Sequence, residues 1–209
     1  MERYYSGLAN LGIQFHRGHK RPRAERFKYL ESLGFQTPLH GTVVEVVNRI
    51  KRGWLLDLET HTYSTGCLEV VVYAGQYKQA MSLDRALEDC PESYSSEFIE
   101  RGKESSLSHE FIQIGNRRWL VEWQSPDHYD SRNTGVGRIL AELEEGYHPQ
   151  VKLPAFGIEF VPGDHLWAVD FNPAPEIQNT PIADVLTPQE FANLVLSAQR
   201  KFQGDSTVA

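Results

Sequence analysis

The most informative stretch of the sequence is Phe156-Gly-Ile-Glu-Phe-Val-Pro-Gly-Asp-His-Leu-Trp-Ala-Val-Asp-Phe-Asn172. Two runs that alternate large apolar side chains with small or polar ones flank a Pro-Gly-Asp-His segment, which is typical of a tight turn between antiparallel strands. Whether the loop has two or four residues, Phe156 lies opposite Phe171, and opposed residues share a face. The sequence therefore predicts a β-hairpin with one face of large apolar side chains.

The other face of this hairpin carries two acids. With a loop of two or four residues, Glu159 and Asp170 are diagonal neighbours, roughly 7 Å apart at the backbone, and Asn172 follows on the same side. A loop of three or five residues would instead place the two acids on opposite faces. Like charges repel at that distance unless a cation lies between them or one group binds a proton. Magnesium prefers such oxygen ligands and usually combines one or two carboxylates with phosphate oxygens. The pattern predicts a metal site, and the alternative is an exposed face with ordinary surface acids.

Composition bounds the function classes. The 209 residues are 40% hydrophobic and 23% charged, which is ordinary for a globular protein. A net charge of −7 argues against a dedicated nucleic-acid binder. No apolar run approaches the roughly 18 residues that span a bilayer, and the first residues lack the apolar stretch of a secretory signal. Two cysteines, Cys67 and Cys90, favour a reducing compartment. We therefore expect a cytoplasmic protein with no membrane partner.

The charge pattern divides the chain into three parts. Residues 1–24 form a basic N-terminal arm, because six basic residues and one acid lie between His16 and Lys28. This arm is either a solvated surface or a contact for phosphate or an acidic partner. Residues 25–202 form a single domain, and residues 203–209 form a flexible tail.

The order of elements indicates an α+β fold with helices packed on antiparallel sheets, because helices and short strands alternate without a strict βαβ order. Gly115-Asn116 predicts the turn of another hairpin. Thr187-Pro-Gln-Glu190 is a capping box that opens the last helix. The apolar spacing predicts a helix over Val136 to Glu145 and a strand over Trp54 to Leu58.

The hairpin and two other segments resemble the ATP-grasp ligases. Glu159…Asp170-Phe-Asn172-Pro173-Ala-Pro175 is similar to the end of that fold, where two acids and an asparagine hold magnesium ions that bridge the nucleotide phosphates. Ser96 to Glu100 resembles the hinge that contacts adenine and ribose. Tyr29 to Pro38 resembles the helix and Thr-Pro loop that open many of these domains. The resemblance covers residues 25–175 and implies an ATP-grasp-like fold with a short N-terminal portion.

The resemblance also implies ATP and magnesium as cofactors and assigns roles to particular residues. These are Glu159, Asp170 and Asn172 for the metal, Lys78, Glu97, Ile99 and Glu100 for the nucleotide, and Arg118 and Arg138 for catalysis. We expect the arginines on the acidic face of the hairpin, since a guanidinium suits phosphate oxygens. The family usually has aspartate first and glutamate second, which is reversed here. No Val-x-Lys-Pro strand is evident, so Lys78 and Lys103 stand in for the usual lysine.

Three functional hypotheses follow. The first is an ATP- and Mg-dependent carboxylate–amine ligase that forms a peptide bond through an acyl phosphate, with a small carboxylate, amine or peptide as substrate. The second is a degenerate ATP-grasp-fold protein that serves as a nucleotide-binding or protein-interaction module without ligase activity. The third is an unrelated metal-dependent hydrolase that uses the loop from Asp127 to Asp130. The sequence names neither the substrate nor the oligomeric state, and a homo-oligomer stays open.

Overall fold

A computed structural model of the chain describes residues 4–5, 8, 22–57, 69–74, 77–99, 106–125, 136–163 and 165–204. The described residues form helices packed on two antiparallel sheets, which confirms the predicted α+β class. In chain order the elements are α1 (Arg23–Ser32), β1 (His40–Thr42), α2 (Val43–Asp57), β2 (Glu69–Ala74), β3 (Tyr77–Ser82), α3 (Leu83–Asp89), β4 (Tyr94–Glu97), β5 (Ser106–Ile114), β6 (Arg117–Ser125), β7 (Val136–Leu143), β8 (Ala155–Pro162), β9 (Leu166–Asn172), a 3₁₀ turn (Pro181–Asp184) and α4 (Pro188–Gly204).

The chain divides into two compact units. One unit spans Met1–Lys20, Lys103–Val161 and Asp170–Ala209, and the other spans Arg21–Gly102 and Pro162–Val169. The segment that resembles the ATP-grasp hinge therefore lies just before the point where the chain leaves the second unit. The predicted arm, single domain and tail remain a prediction about the organisation of the whole chain.

The second unit contains a four-stranded sheet in the order β1-β4-β2-β3. One face of this sheet forms a core with α2 and α3, because the apolar residues of α2 recur at helical spacing. The buried residues of this core are Val43, Val46, Val47, Ile50, Val70, Val72, Leu83 and Ala86.

Polar contacts fix α1 on this unit. The His40 Nε2 lies 2.9 Å from the Glu31 carboxylate, and its Nδ1 lies 2.7 Å from the Tyr94 hydroxyl. Burial raises the pKa of Glu31, but hydrogen bonds from His40 and Thr37 outweigh it, so the pKa is lowered. Burial, followed by the neighbouring Tyr73, raises the pKa of Tyr94, so its phenol keeps its proton. These contacts join α1 to β1 and β4.

The five-stranded sheet has the order β7-β6-β5-β8-β9, and all of it except Pro162 of β8 and the first four residues of β9 belongs to the first unit. One face packs against α4, the 3₁₀ turn and three residues from the start of the chain, Tyr4, Tyr5 and Leu8. These three residues belong to the predicted basic arm. They are buried because each presents a large apolar surface, a ring or an aliphatic side chain, to this core. The rest of the arm from residue 9 to 21 and the tail beyond Gly204 lie outside the described residues.

The two predicted hairpins occur as adjacent strands. Strands β5 and β6 pair through Ile114 and Arg117 around a turn in which Gly115 has a φ of +58°. Strands β8 and β9 are neighbours in the same sheet. Strand β8 ends at Pro162 and β9 begins at Leu166, so residues 163–165 connect them. The rings of Phe156 and Phe171 stack with centroids 5.9 Å apart, which places both rings on one face.

Two of the predicted elements are wrong. The stretch from Val136 is not a helix but strand β7, which pairs with β6 and contains an irregularity opposite Leu120 and Val121. Gly137 favours this pairing, because a Cβ at that position would lie 2.7 Å from the Trp123 ring. Trp54 to Asp57 belongs to α2 rather than to a strand. In both cases a short apolar run is compatible with either period, and tertiary packing decides.

Within the described ranges, no helix is long and apolar enough to cross a membrane. The predicted cytoplasmic location remains a prediction. Of the two cysteines, Cys67 lies outside the described residues. Cys90 is not in a disulfide, and its sulfur lies 3.8 Å from that of Met81.

The capping box of α4 generates a pH prediction. Thr187 donates to the Glu190 carboxylate through its hydroxyl at 2.7 Å and its N–H at 2.8 Å, and these bonds lower the pKa of Glu190. Because the folded pKa lies below the ordinary value of 4.5, the stabilisation is complete above pH 4.5 and is lost as the pH falls through the folded pKa. We expect Glu190→Ala to lower the urea midpoint at pH 7, and the difference from wild type to shrink in acid.

Ser197→Ala is the control, because Ser197 is an exposed residue without charge on the same helix. Its difference from wild type should not depend on pH in this range. A difference for Glu190→Ala that stays constant from pH 7 to pH 3 would contradict the prediction.

Candidate functional site

The acidic face of the β8–β9 hairpin is buried. Phe156 and Phe171 stack and so share one face, and side chains alternate along each strand. Glu159 and Asp170 therefore share the other face. Only 4% of Glu159 and 6% of Asp170 is exposed to solvent. The alternative of ordinary surface acids on an exposed face is therefore wrong.

A third carboxylate lies on the same face. Glu110 of β5 is directly opposite Glu159 and is 7% exposed. Its Oε2 accepts a hydrogen bond of 3.2 Å from the Trp123 indole. Its Oε1 lies 2.8 Å from the point that a Cβ on Gly157 would occupy, so the glycine leaves space for the carboxylate.

Glu110 is not among the site residues predicted from the sequence, although the pattern of strands β5 and β6 contains a signal for it. The turn at Gly115 sets the register of β5 and β6, and this register places Glu110 opposite Val121 and between Trp119 and Trp123. An acid in a row of apolar side chains is unusual, since buried charges are paired, protonated or bound to metal.

Asn172 ends β9 at the start of a turn. Its Oδ1 accepts a hydrogen bond of 3.1 Å from the N–H of Ala174. An amide oxygen has two lone pairs, so this bond leaves one for another donor or a cation. The Asn172 side chain is therefore held in place by the chain that follows it.

The donor set fits magnesium that is shared with phosphate. Glu159, Asp170 and Asn172 supply hard oxygen atoms, which are the ligands that magnesium prefers. Across the part of the chain that the structure describes, no three or more His, Cys, Asp or Glu residues are grouped so as to hold a metal ion. Magnesium usually combines one or two protein carboxylates with phosphate oxygens, and two carboxylates with one amide oxygen match that pattern.

The two candidate catalytic arginines lie on the opposite face of the sheet. Arg118 is opposite Gln113, and Arg138 is opposite Glu122. Alternation along β5 and β6 places both pairs on the face away from Glu110. The prediction that the arginines face the acids is therefore wrong, because the pairing of β5 with β6 fixes the side of Arg118 and the pairing of β6 with β7 fixes the side of Arg138.

Each arginine has contacts of its own on that face. Arg138 Nε donates to the Glu122 carboxylate at 2.6 Å, and His109 Nε2 lies 3.6 Å from the same group. Arg118 Nε donates to the Glu144 carbonyl at 2.9 Å. Burial, followed by the charge of Arg118, lowers the pKa of His148.

The candidate nucleotide residues belong to the second unit. Lys78 lies on β3 opposite Tyr73, and Glu97 ends β4 opposite Val70. The Glu97 N–H donates to the Leu39 carbonyl at 2.8 Å. Ile99 packs near Gly163, where a Cβ would lie 2.8 Å from its Cγ2. Glu100, Lys103 and the loop from Asp127 to Asp130 lie outside the described residues, so their assigned roles remain predictions.

Comparison with known proteins gives no sequence match: no family model and no curated protein matches the chain. Among solved structures, the chain is similar to an ATP-grasp ligase of Chryseobacterium gregarium associated with RiPPs, in complex with ADP and a leader and core peptide, at 13% identity and a TM-score of 0.48. It is similar to the macrocyclase MdnC of Microcystis aeruginosa, bound with its precursor peptide MdnA, at 14% identity and a TM-score of 0.45. It is also similar to the ATP-grasp ligase PsnB complexed with a minimal precursor, at 11% identity and a TM-score of 0.49.

These similarities cover 85%, 87% and 85% of this chain, but only 59%, 61% and 59% of the matched chains. Two of the three are named as ATP-grasp ligases, the family that the hairpin sequence resembles. At identities of 11–14% and TM-scores below 0.5, they carry no conclusion about activity, substrate or partner.

The packing around Glu110 generates a test of the buried acidic face. We expect Gly157→Ala to cost about 1–3 kcal/mol of unfolding free energy, because the new Cβ displaces the Glu110 carboxylate. In a Glu110→Ala background the same change should cost less, by at least about 0.5 kcal/mol, because the carboxylate is gone. Urea unfolding of the four proteins measures this coupling.

Gly204→Ala is the control for adding a methyl group, because a Cβ there meets nothing within 4 Å. Its effect should be small and independent of Glu110. Strictly additive costs for Gly157→Ala and Glu110→Ala would show that the carboxylate does not occupy the space beside Gly157.

Proposed function

We propose that this chain is an ATP- and Mg-dependent carboxylate–amine ligase. The observation that carries the proposal is the burial of Glu159 and Asp170 on one face of β8 and β9. Asn172 lies two positions beyond Asp170, at the end of β9. Carboxylate and amide oxygens are the ligands that magnesium prefers, and magnesium usually combines one or two protein carboxylates with phosphate oxygens. A magnesium–nucleotide complex would therefore match the oxygen donors that these three residues supply.

The residues of the chain divide into two groups in this proposal. Glu159, Asp170 and Asn172 would hold the magnesium, which when bound neutralises the charge on the phosphates. Lys78 would contact the nucleotide phosphates, while Glu97 and the backbone near Ile99 would contact ribose and adenine. These nucleotide contacts rest on the sequence resemblance.

The reaction has two steps. A substrate carboxylate oxygen attacks the γ-phosphorus of ATP, which forms an acyl phosphate and releases ADP. A substrate amine then attacks the acyl carbon, loses a proton and expels inorganic phosphate, which leaves an amide bond. The three solved structures to which the chain is similar hold a leader and core peptide, a precursor peptide and a minimal precursor, so a peptide is the first substrate class to test. Arg118 and Arg138 have no part in these steps, because both lie on the other face of the sheet.

The position of the arginines favours a second candidate function, a nucleotide-binding module without ligase activity. Transfer of a phosphoryl group usually needs positive groups around the transferred phosphate. Arg138 is instead bound to Glu122, and Arg118 to the Glu144 carbonyl. Release of ADP and phosphate in the presence of a carboxylate and an amine distinguishes the ligase from this module.

Nucleotide binding tests the proposed metal site directly. We expect wild-type protein to bind ATP more tightly with magnesium than without it in titration calorimetry. Glu159→Gln and Asp170→Asn should each remove most of this magnesium-dependent gain, because each replaces an anionic ligand by a neutral amide of nearly the same shape.

Glu122→Gln is the matched control, since it makes the same chemical change on the same sheet but on the opposite face. It should keep the magnesium-dependent gain. Equal losses in all three variants would indicate general destabilisation rather than a metal site. If the wild type binds no ATP at millimolar nucleotide concentration, both the ligase and the nucleotide-binding module are contradicted.

A further inference from the structure

A tyrosine near the start of the chain is bound to the segment that follows the candidate metal site. The Tyr5 hydroxyl donates to the Pro175 carbonyl at 2.7 Å, and both groups are buried. The Tyr5 ring packs edge-on against Phe191 of α4, with centroids 5.2 Å apart. The beginning of the chain, the end of β9 and the last helix thus meet through one side chain.

The neighbouring tyrosine has the same environment but another partner. Tyr4 is also 4% exposed, and its ring also packs edge-on against Phe191, at 5.7 Å. Its hydroxyl donates to the Leu186 carbonyl at 2.7 Å, and the Ala183 carbonyl lies at 3.4 Å. Tyr4 therefore holds the approach to α4, whereas Tyr5 holds the chain beyond Asn172.

The segment from Asn172 to Pro175 is short and stiff. Pro173 and Pro175 have φ fixed near −65° by their rings, and the Ala174 N–H between them is bonded to the Asn172 side chain. Pro175 also packs on the acidic face, since a Cβ on Gly157 would lie 3.4 Å from the Pro175 Cβ. Two of the backbone rotations that could absorb a displacement of the Pro175 carbonyl are therefore fixed, which couples that carbonyl to the Asn172 side chain.

We propose that Tyr5 is a positioning residue for the metal site: its hydrogen bond to Pro175 holds the Asn172 amide oxygen in the orientation that accepts a cation. This role rests on the proposed function, because it assigns a purpose to the orientation of Asn172. Tyr5 itself touches neither nucleotide nor metal in this proposal. The N-terminal residues thereby contribute to a site that lies at the other end of the sequence.

Tyr5→Phe and Tyr4→Phe form a matched pair, because each removes one buried hydroxyl and leaves its ring against Phe191. Two measurements are made on the full chain. Hydrogen exchange of the ¹⁵N-labelled Ala174 amide, followed by NMR, reports whether Asn172 still holds that amide. Titration calorimetry with ATP, with and without magnesium, reports the metal-dependent part of the affinity.

We expect Tyr5→Phe to speed Ala174 exchange and to weaken ATP binding with magnesium about fivefold, the effect of losing one ordinary hydrogen bond. Its affinity for ATP without magnesium should stay at the wild-type value. Tyr4→Phe should lose a similar amount of stability and change neither quantity.

Three results would overturn the proposal. Ala174 exchange that is unchanged in Tyr5→Phe would show that the hydrogen bond does not hold the segment. Equal changes in both variants would show a general loss of stability. Faster Ala174 exchange in Tyr5→Phe, with no magnesium-dependent ATP binding by wild type, would refute the proposed function and this role, and would leave only a structural brace.

Discussion

The burial of carboxylates on one face of the five-stranded sheet is the constraint on which the rest of the first unit depends. Glu159 and Glu110 are directly opposed on neighbouring strands, and Asp170 shares their face. Removing a carboxylate from water costs free energy unless partners compensate its charge. In the proposed function a bound cation would supply part of that compensation at Glu159 and Asp170.

Several local features accommodate this face. Gly157 leaves room for the Glu110 carboxylate, and the Trp123 indole donates a hydrogen bond to it. The same face continues into an apolar core that contains Ile112 and Trp119. Residues near both ends of the sequence complete this core, among them Tyr4, Tyr5 and Leu8.

The sequence predicted the parts of the fold that have local signals. The β8–β9 hairpin, the turn at Gly115 and the capping box at Thr187 each rest on alternation or on turn and cap chemistry within a few residues. Strand β7 was predicted as a helix because its apolar spacing is ambiguous and only its pairing with β6 settles it.

The candidate site was likewise predictable only where its signal is local in the sequence. Alternation alone placed Glu159 and Asp170 on one face, but it could not say whether that face is buried. Placing Glu110 beside Glu159 requires the register of β5 against β8, which is a contact between strands that are distant in sequence. The side on which Arg138 lies depends on the pairing of β6 and β7, which a helix at this position excludes. The side of Arg118 follows from the hairpin of β5 and β6, but its relation to Glu159 again depends on the register of β5 against β8.

The most direct test of the central claim is NMR of the full chain with Mn²⁺ in place of magnesium, in the presence of ATP. Mn²⁺ takes the same kinds of oxygen ligand and broadens resonances of nearby nuclei. A cation held by Glu159 and Asp170 predicts that the amides of Phe160 and Phe171 broaden first, and that Asp170→Asn abolishes this effect. Broadening that leaves both amides sharp, or that persists in Asp170→Asn, would contradict the assignment of the buried acids as a metal site.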